Sequence, residues 1–235
     1  MFKKVTLGGI ALSLAFTLTA CGSNVTNDVS GSTDSQEEAT AADQKEVSNK
    51  EEKDESIPEP KKDENGNIIL DTVGQKVEDE SATAELMKIK EVNETLSIAP
   101  LEVTIKDIKL IKLTDINEEL MMNLEMYGAK GTPEELSYIQ VKYIAENTEE
   151  KNIEWYDLMN VVTDKGEQID AQMNDFITDD SDMDSQFLGK VKKEFTDGFI
   201  VKDEDISKVK LIFGYTMDSD SYEDITDEQQ VEYTF

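Results

Sequence analysis

Apolar and polar residues alternate in several short stretches between residues 65 and 235. In Leu101–Lys106 and in Ile139–Ala145 every second side chain is apolar, which is the period of a strand with one buried face. The first of these strands is predicted to continue to Leu113. Short strands separated by turn residues predict a mainly β protein with a β-sandwich fold. Further strands are predicted at Leu158–Thr163, Phe195–Val201, Lys208–Phe213 and Val231–Phe235.

One segment between these strands has the period of a helix instead. Asp115 is predicted to cap the helix and Glu118 follows three residues later, as in a capping box. Gly128 is predicted to end it. The sequence therefore predicts one short helical insertion in the sandwich. The apolar residues on one face of this helix are Leu120, Met121, Leu124 and Tyr127.

The residues before Asn65 lack the apolar content of a folded domain. Between Gly22 and Glu64 the larger apolar residues are three valines and Ile57, and there is no aromatic residue. Such a segment cannot bury enough surface to offset its conformational entropy, so a disordered acidic tether is predicted. The predicted organisation is a signal peptide at 1–20, a tether at 21–64 and a sandwich domain at 65–235.

The first twenty residues have the pattern of a secretory signal. Lys3 and Lys4 precede an apolar run that is too short to span a bilayer. The run ends in Leu18-Thr19-Ala20-Cys21, and Cys21 is the only cysteine in the chain. These four residues resemble the lipobox of bacterial lipoproteins. The resemblance implies cleavage before Cys21, a lipid on its sulfur and location on the extracytoplasmic face of the cell membrane; the alternative is an ordinary secretory signal followed by a chance cysteine.

The charge and composition of the chain limit the partners that it can bind and the reactions that it can catalyse. The formal net charge is -30, all 23 basic residues are lysines, and there is no histidine. Such a chain repels nucleic acid and anionic lipid headgroups, which favours cationic partners and divalent cations. Without histidine or arginine it lacks an imidazole base and a bidentate phosphate clamp. A non-enzymatic protein without a cofactor is predicted, the alternative being a hydrolase that uses carboxylates alone.

Three segments together are typical of one domain family: the strand Tyr138–Thr148 with its Asn-Thr ending, the hairpin Asp157–Glu167, and Gly189 with the strands that end at Val201 and Phe213. They resemble an uncharacterised family of extracytoplasmic domains, numbered four-three-five-two, found on Gram-positive lipoproteins. The resemblance spans Leu101 to Tyr215 and implies an immunoglobulin-like sandwich. The chain departs from the family pattern in lacking a proline before Gly189 and in carrying the helical insertion. The resemblance implies no catalytic residues.

An acidic segment is the strongest candidate for a metal site. Its carboxylates have the first three ligand spacings of a calcium loop, but the required glycine and the final glutamate are replaced by Ser185 and Val191. An EF-hand is therefore excluded, and an irregular Ca²⁺ site or a solvated loop remain as alternatives. A weaker second candidate contains Asp218, Asp220 and Asp224. The proposed ligands of the first are Asp179, Asp180, Asp182 and Asp184.

Two further groups of residues are expected to belong to the core. Met121, Met122 and Met126 offer thioethers, which are soft ligands for copper, but their neighbouring leucines predict an ordinary packing face. Trp155 and Tyr156 form either an anchor of the sandwich core or an aromatic patch for a ligand, and the core is favoured.

The sequence as a whole predicts a membrane-anchored, non-catalytic binding module whose partner it does not identify. The alternative is a divalent-cation-binding protein of the cell envelope that uses the acidic segment.

Overall fold

The computed structural model describes residues 57–63, 66–130, 134–177 and 184–235. Over these residues the protein is mainly β, as predicted, with two helices, α1 (Glu118–Met126) and α2 (Ala171–Asn174). The strands are β1 (Lys61–Lys62), β2 (Ile68–Ile69), β3 (Lys76–Glu78), β4 (Thr83–Ile98), β5 (Leu101–Thr114), β6 (Glu135–Asn147), β7 (Ile153–Trp155), β8 (Leu158–Thr163), β9 (Gln168–Asp170), β10 (Gln186–Phe187), β11 (Lys192–Val201), β12 (Lys208–Phe213), β13 (Thr216–Asp218) and β14 (Gln229–Thr234).

Two antiparallel sheets form the sandwich. One has the order β11-β6-β5-β4-β3 and the other the order β14-β12-β8-β9. After β5 and β6 in the first sheet, the chain crosses to the second sheet and forms β8. It returns to the first sheet as β11, which pairs with β6, and then crosses to the second sheet again to form β12 and β14. This is the connectivity of an immunoglobulin-like sandwich, in which strands A, B and E share one sheet and strands C, F and G share the other. Here β5, β6 and β11 correspond to A, B and E, and β8, β12 and β14 correspond to C, F and G. The predicted fold class is confirmed.

The inward faces of both sheets form one core. Ile105, Val141 and Tyr143 of the first sheet pack with Val161 and Leu211 of the second, and all five are buried. The period of two in these strands therefore arises because one face of each strand meets the opposite sheet and the other meets water.

At one end of the first sheet the outer face is buried as well. Leu110 and Ile111 are consecutive and both buried, so the alternation fails there. Leu110 faces the sandwich core, whereas Ile111 belongs to a second apolar cluster with Met121 and Leu124 of α1. The helix thus covers the outer face of β5 and β6 and makes this end of the sandwich three layers thick.

The cap of α1 differs from the prediction. Asn117, not Asp115, is the N-cap, and its side-chain Oδ1 accepts a hydrogen bond of 2.8 Å from the backbone N–H of Leu120. Asp115 instead has a positive φ of 53° at the end of β5. Its carboxylate accepts hydrogen bonds from the hydroxyls of Thr83 and Thr114, so it fixes the turn that leads into the helix.

The other predicted elements agree well with the structure. The strands at Leu158–Thr163 and Lys208–Phe213 have the predicted bounds, and the turn after Thr163 contains Gly166 with φ +81°. The helix α2 and the long strand β4 were not predicted. Residues 57–63 fall within the predicted tether, yet Lys61–Lys62 pair with Ile68–Ile69, so the folded part extends upstream of Asn65. The signal peptide and residues 21–56 of the predicted tether lie outside the described residues.

Candidate functional site

Most of the predicted site residues lie outside the part of the chain that the structure describes. This holds for Cys21 and for Asp179, Asp180 and Asp182 of the acidic segment. Asp184 is described, and its carboxylate Oδ2 lies 3.7 Å from Nζ of Lys193. Within residues 57–63, 66–130, 134–177 and 184–235, no group of acidic, cysteine or histidine residues is arranged to hold a metal ion. The Ca²⁺ site therefore stays a prediction.

The second acidic candidate forms a turn with its own internal partners. Asp218 makes an ion pair with Lys151, and its carboxylate accepts hydrogen bonds from the backbone N–H groups of Ser221 and Asp220, each at 2.8 Å. The bond from Lys151 and then that from Ser221 hold the pKa of Asp218 well below its usual range. The side chain is thus engaged in closing this turn.

A third acidic group was not predicted from the sequence, because its members are far apart in the chain. Asp157, Asp175 and Asp197 lie around the buried Tyr143, whose hydroxyl donates a hydrogen bond of 2.9 Å to Asp197. Burial, followed by the charge of Asp197, raises the pKa of Tyr143 well above its usual value. Tyr143 therefore stays protonated and serves as a hydrogen-bond donor inside the core.

The pKa of Asp157 is strongly raised. Burial raises its pKa to about 6, the nearby charge of Asp175 acts in the same direction, and the hydrogen bond from Gln172 opposes them. Because the pKa in the folded protein lies above that in the unfolded chain, the fold favours the neutral acid. The resulting stabilisation is present below about pH 4 and is lost as the pH rises through about 6.

Asp157→Asn is expected to raise the free energy of unfolding at pH 7.5 by about 1–3 kcal/mol, because it removes a charge from a half-buried position and keeps an oxygen that accepts from Gln172. The gain should shrink at pH 4.5, where wild-type Asp157 is already neutral. Urea unfolding at both pH values measures it. Asp227→Asn is the control, because it makes the same change in net charge at an exposed position. Equal stabilisation by the two variants would contradict the assignment to Asp157.

The aromatic residues divide between core and surface. Trp155 is 1% exposed and packs with the rings of Tyr143, Phe195 and Phe213, so the prediction of a core anchor is confirmed. Tyr156 is half-buried and lies against Tyr215, with ring centroids 4.9 Å apart.

The methionines of α1 correct the prediction of a single packing face. Met121 is buried in the cluster beneath the helix, as predicted. Met122 and Met126 are each 70% exposed, because they lie on the opposite side of α1 from the sheet. Their spacing of four residues places them on one face of the helix, one turn apart. The prediction that they fill the core is therefore wrong.

A shallow pocket adjoins this exposed face. It has a volume of about 230 Å³. Phe176, which follows α2, forms part of the pocket wall. Its ring packs edge-on against Tyr138, with ring centroids 5.0 Å apart. Met126 lines this pocket and also lies on the exposed face of α1, so the pocket and the exposed face are adjacent. We call Met122, Met126 and this pocket the α1 surface; the pocket is lined by Leu120, Asn123, Leu124, Met126, Tyr127 and Phe176.

Comparison with known proteins yields one uncharacterized relative. The chain is 28% identical over 132 residues to the uncharacterized protein YdhF of Bacillus subtilis (strain 168). The match includes 56% of this chain and 53% of that protein, so the chain spans about half the length of the curated relative it matches. No family model matches the chain. No solved structure matches it either. The resemblance to family four-three-five-two accordingly stays a prediction.

In the described portion of the chain, no helix is long and apolar enough to cross a bilayer.

Proposed function

We propose that the protein is a lipid-anchored binding module on the extracytoplasmic face of the cell membrane, where it engages another protein without catalysing a reaction. The observation that carries the proposal is the position of Cys21. The only thiol of the chain directly follows Leu18-Thr19-Ala20, at the end of a short apolar run with a basic start. Acyl chains on that sulfur supply membrane affinity of roughly 0.8 kcal/mol per buried CH₂ group.

The described part of the domain includes two pockets whose linings favour binding over catalysis. The two pockets beside α1 and beside β4 are shallow, with volumes of about 230 and 290 Å³. The one titratable side chain among the residues that line the second is Lys88, and its Nζ donates a hydrogen bond of 2.6 Å to the carbonyl of Ile206. The first pocket is lined by apolar side chains, Asn123 and Tyr127. Neither lining offers the pair of groups that general acid–base chemistry uses.

Cys21→Ser is expected to abolish membrane attachment. The wild-type protein should sediment with membranes and dissolve in detergent, whereas the variant should be released or should accumulate unprocessed. Fractionation with immunodetection, together with metabolic labelling by a fatty acid, measures both attachment and the lipid.

The position of the thiol supplies the control for this experiment. In the double variant Cys21→Ser, Ser23→Cys the thiol is moved two residues beyond the lipobox pattern, and attachment should not return. Ser23→Cys alone keeps Cys21 and should behave like the wild type. Incorporation of the fatty-acid label into Cys21→Ser at the wild-type level would refute the anchoring.

A further inference from the structure

The α1 surface carries two exposed methionines on a helix whose other exposed side chains are three glutamates and Asn123. Met122 lies four residues after Glu118 and three before Glu125, so on a helix these side chains are neighbours. The glutamates Glu118, Glu119 and Glu125 are all exposed. Two solvent-facing thioethers are therefore framed by three carboxylates.

The end of the helix strengthens this negative character. The last turn of α1 contains Glu125 and no basic residue, although a helix C-terminus favours cations. The nearest lysine in the sequence, Lys130, lies beyond the helix end. The carboxylate and the helix dipole thus act together on any charged group that approaches Met126.

The methionines are suited to a partner that is apolar on one side. Methionine side chains are flexible and polarizable, and exposed methionines recur on surfaces that bind varied apolar partners. The adjoining pocket of about 230 Å³ is large enough to receive an apolar side chain from such a partner. Exposed apolar patches with polar rims mark interaction sites on soluble domains.

The negative charge of the chain distinguishes between the partners that could cover this surface. A second copy of this chain carries the same net charge of -30 and is repelled, as are anionic lipid headgroups. A segment with an apolar face flanked by lysine or arginine satisfies both the methionines and the glutamates.

We propose that the α1 surface is the docking site for a basic amphipathic helix of a partner protein. This proposal rests on the proposed binding function and adds to it the surface and the chemistry of the partner. The apolar face of the partner covers Met122 and Met126 and places a side chain in the pocket, while its basic residues pair with Glu118, Glu119 and Glu125.

The test uses a synthetic peptide of about 18 residues, or five helical turns, made of leucine and lysine at amphipathic spacing. A second peptide has the same composition in an order without an apolar face. Binding is measured by calorimetry on the full chain carrying Cys21→Ser, in which no lipid is present to bind the peptide. We expect the amphipathic peptide to bind at least about tenfold more tightly than the reordered one.

Variants of the chain locate the binding. Met122→Gln, Met126→Gln should weaken the amphipathic peptide about tenfold or more, because the replacements keep the side-chain length and remove the apolar contact. Leu188→Gln is the matched control, since Leu188 is an exposed apolar residue (62%) that lies outside the α1 surface, and it should change the affinity less than twofold. The triple change Glu118→Gln, Glu119→Gln, Glu125→Gln should weaken binding and reduce its dependence on salt.

Three results would overturn the docking proposal. They are equal binding of the two peptides, wild-type affinity in the double methionine variant, and a dimer of the chain that this variant dissociates, which would assign the surface to a second copy. Circular dichroism confirms that each variant is folded. Membrane attachment of the double methionine variant, measured with Cys21 intact, should be unchanged, so failure of docking and failure of anchoring are distinguishable.

Discussion

Replacement of Trp155 by alanine is expected to lower the free energy of unfolding by about 3–5 kcal/mol, a large part of the stability of a typical domain. Trp155 is 1% exposed and lies where β7 meets the inner faces of both large sheets. Its ring stacks on Phe213 at 6.1 Å between centroids and meets Tyr143, Phe187 and Phe195 edge-on. Truncation leaves a cavity that four rigid rings cannot fill.

The indole also makes a polar contact that the variant loses. Its Nε1–H donates a hydrogen bond of 3.0 Å to the carbonyl of Gly214. Alanine leaves this buried carbonyl without its side-chain donor, which adds to the cost of the cavity. Trp155→Phe is the graded control, because it restores most of the volume but not the hydrogen bond, and its cost should be clearly smaller.

Urea unfolding followed by circular dichroism measures this effect. Fluorescence is unsuitable for the variant, because Trp155 is the only tryptophan in the chain. A loss below about 1 kcal/mol would show that Trp155 is peripheral and would contradict its assignment as the anchor of the core.

Gly214→Ala is expected to destabilise the fold by about 3 kcal/mol or more, although it adds a single methyl group. A Cβ atom at this position would lie 1.8 Å from the backbone oxygen of Tyr156 and 2.7 Å from its Cβ. The obstacle is backbone, so a change of rotamer cannot relieve it. The two segments must separate, which breaks the hydrogen bond of 2.7 Å from the Gly214 N–H to the carbonyl of Asp157.

Gly166→Ala is the matched control for this prediction. Gly166 lies in the turn after β8 with φ +81°, and a Cβ there would meet no atom within 4 Å. Alanine at this position carries only the conformational cost of a positive φ, about 1 kcal/mol. Thermal melting of both variants gives the comparison. Equal costs would show that the close approach at Gly214 is not what excludes a side chain.

The difference between these two glycines illustrates what can be predicted from the sequence. The turn at Gly166 was predictable, because Asp164-Lys165-Gly166 follows a strand and only local conformation is involved. The requirement for glycine at Gly214 arises from Tyr156, which is 58 residues earlier in the chain. No local pattern records that contact.

Among the strands, too, some are predicted by a local pattern and others are not. β6 was predicted because it keeps a period of two over many residues, and β5 because its first part, Leu101–Lys106, does so. β4 was missed although it is the longest strand, at 16 residues. Its register against β5 shifts between Leu86 and Lys88 and again between Glu91 and Glu94, and Asn93 has a positive φ of 53°. Each bulge moves the following side chains to the other face, so the alternation that would reveal the strand is interrupted.

The sequence by itself determined the fold class, most of the strands and the position of the helical insertion, because these depend on the period and turn chemistry of neighbouring residues. Only the tertiary structure decided which side chains of the insertion are exposed to solvent. The sequence indicated one face of packed methionines, but the sheet covers only the side that contains Met121 and Leu124, so Met122 and Met126 face water. Burial of a helical side chain depends on the position of the covering surface, and β5 and β6 supply that surface through contacts that form only when the chain has folded.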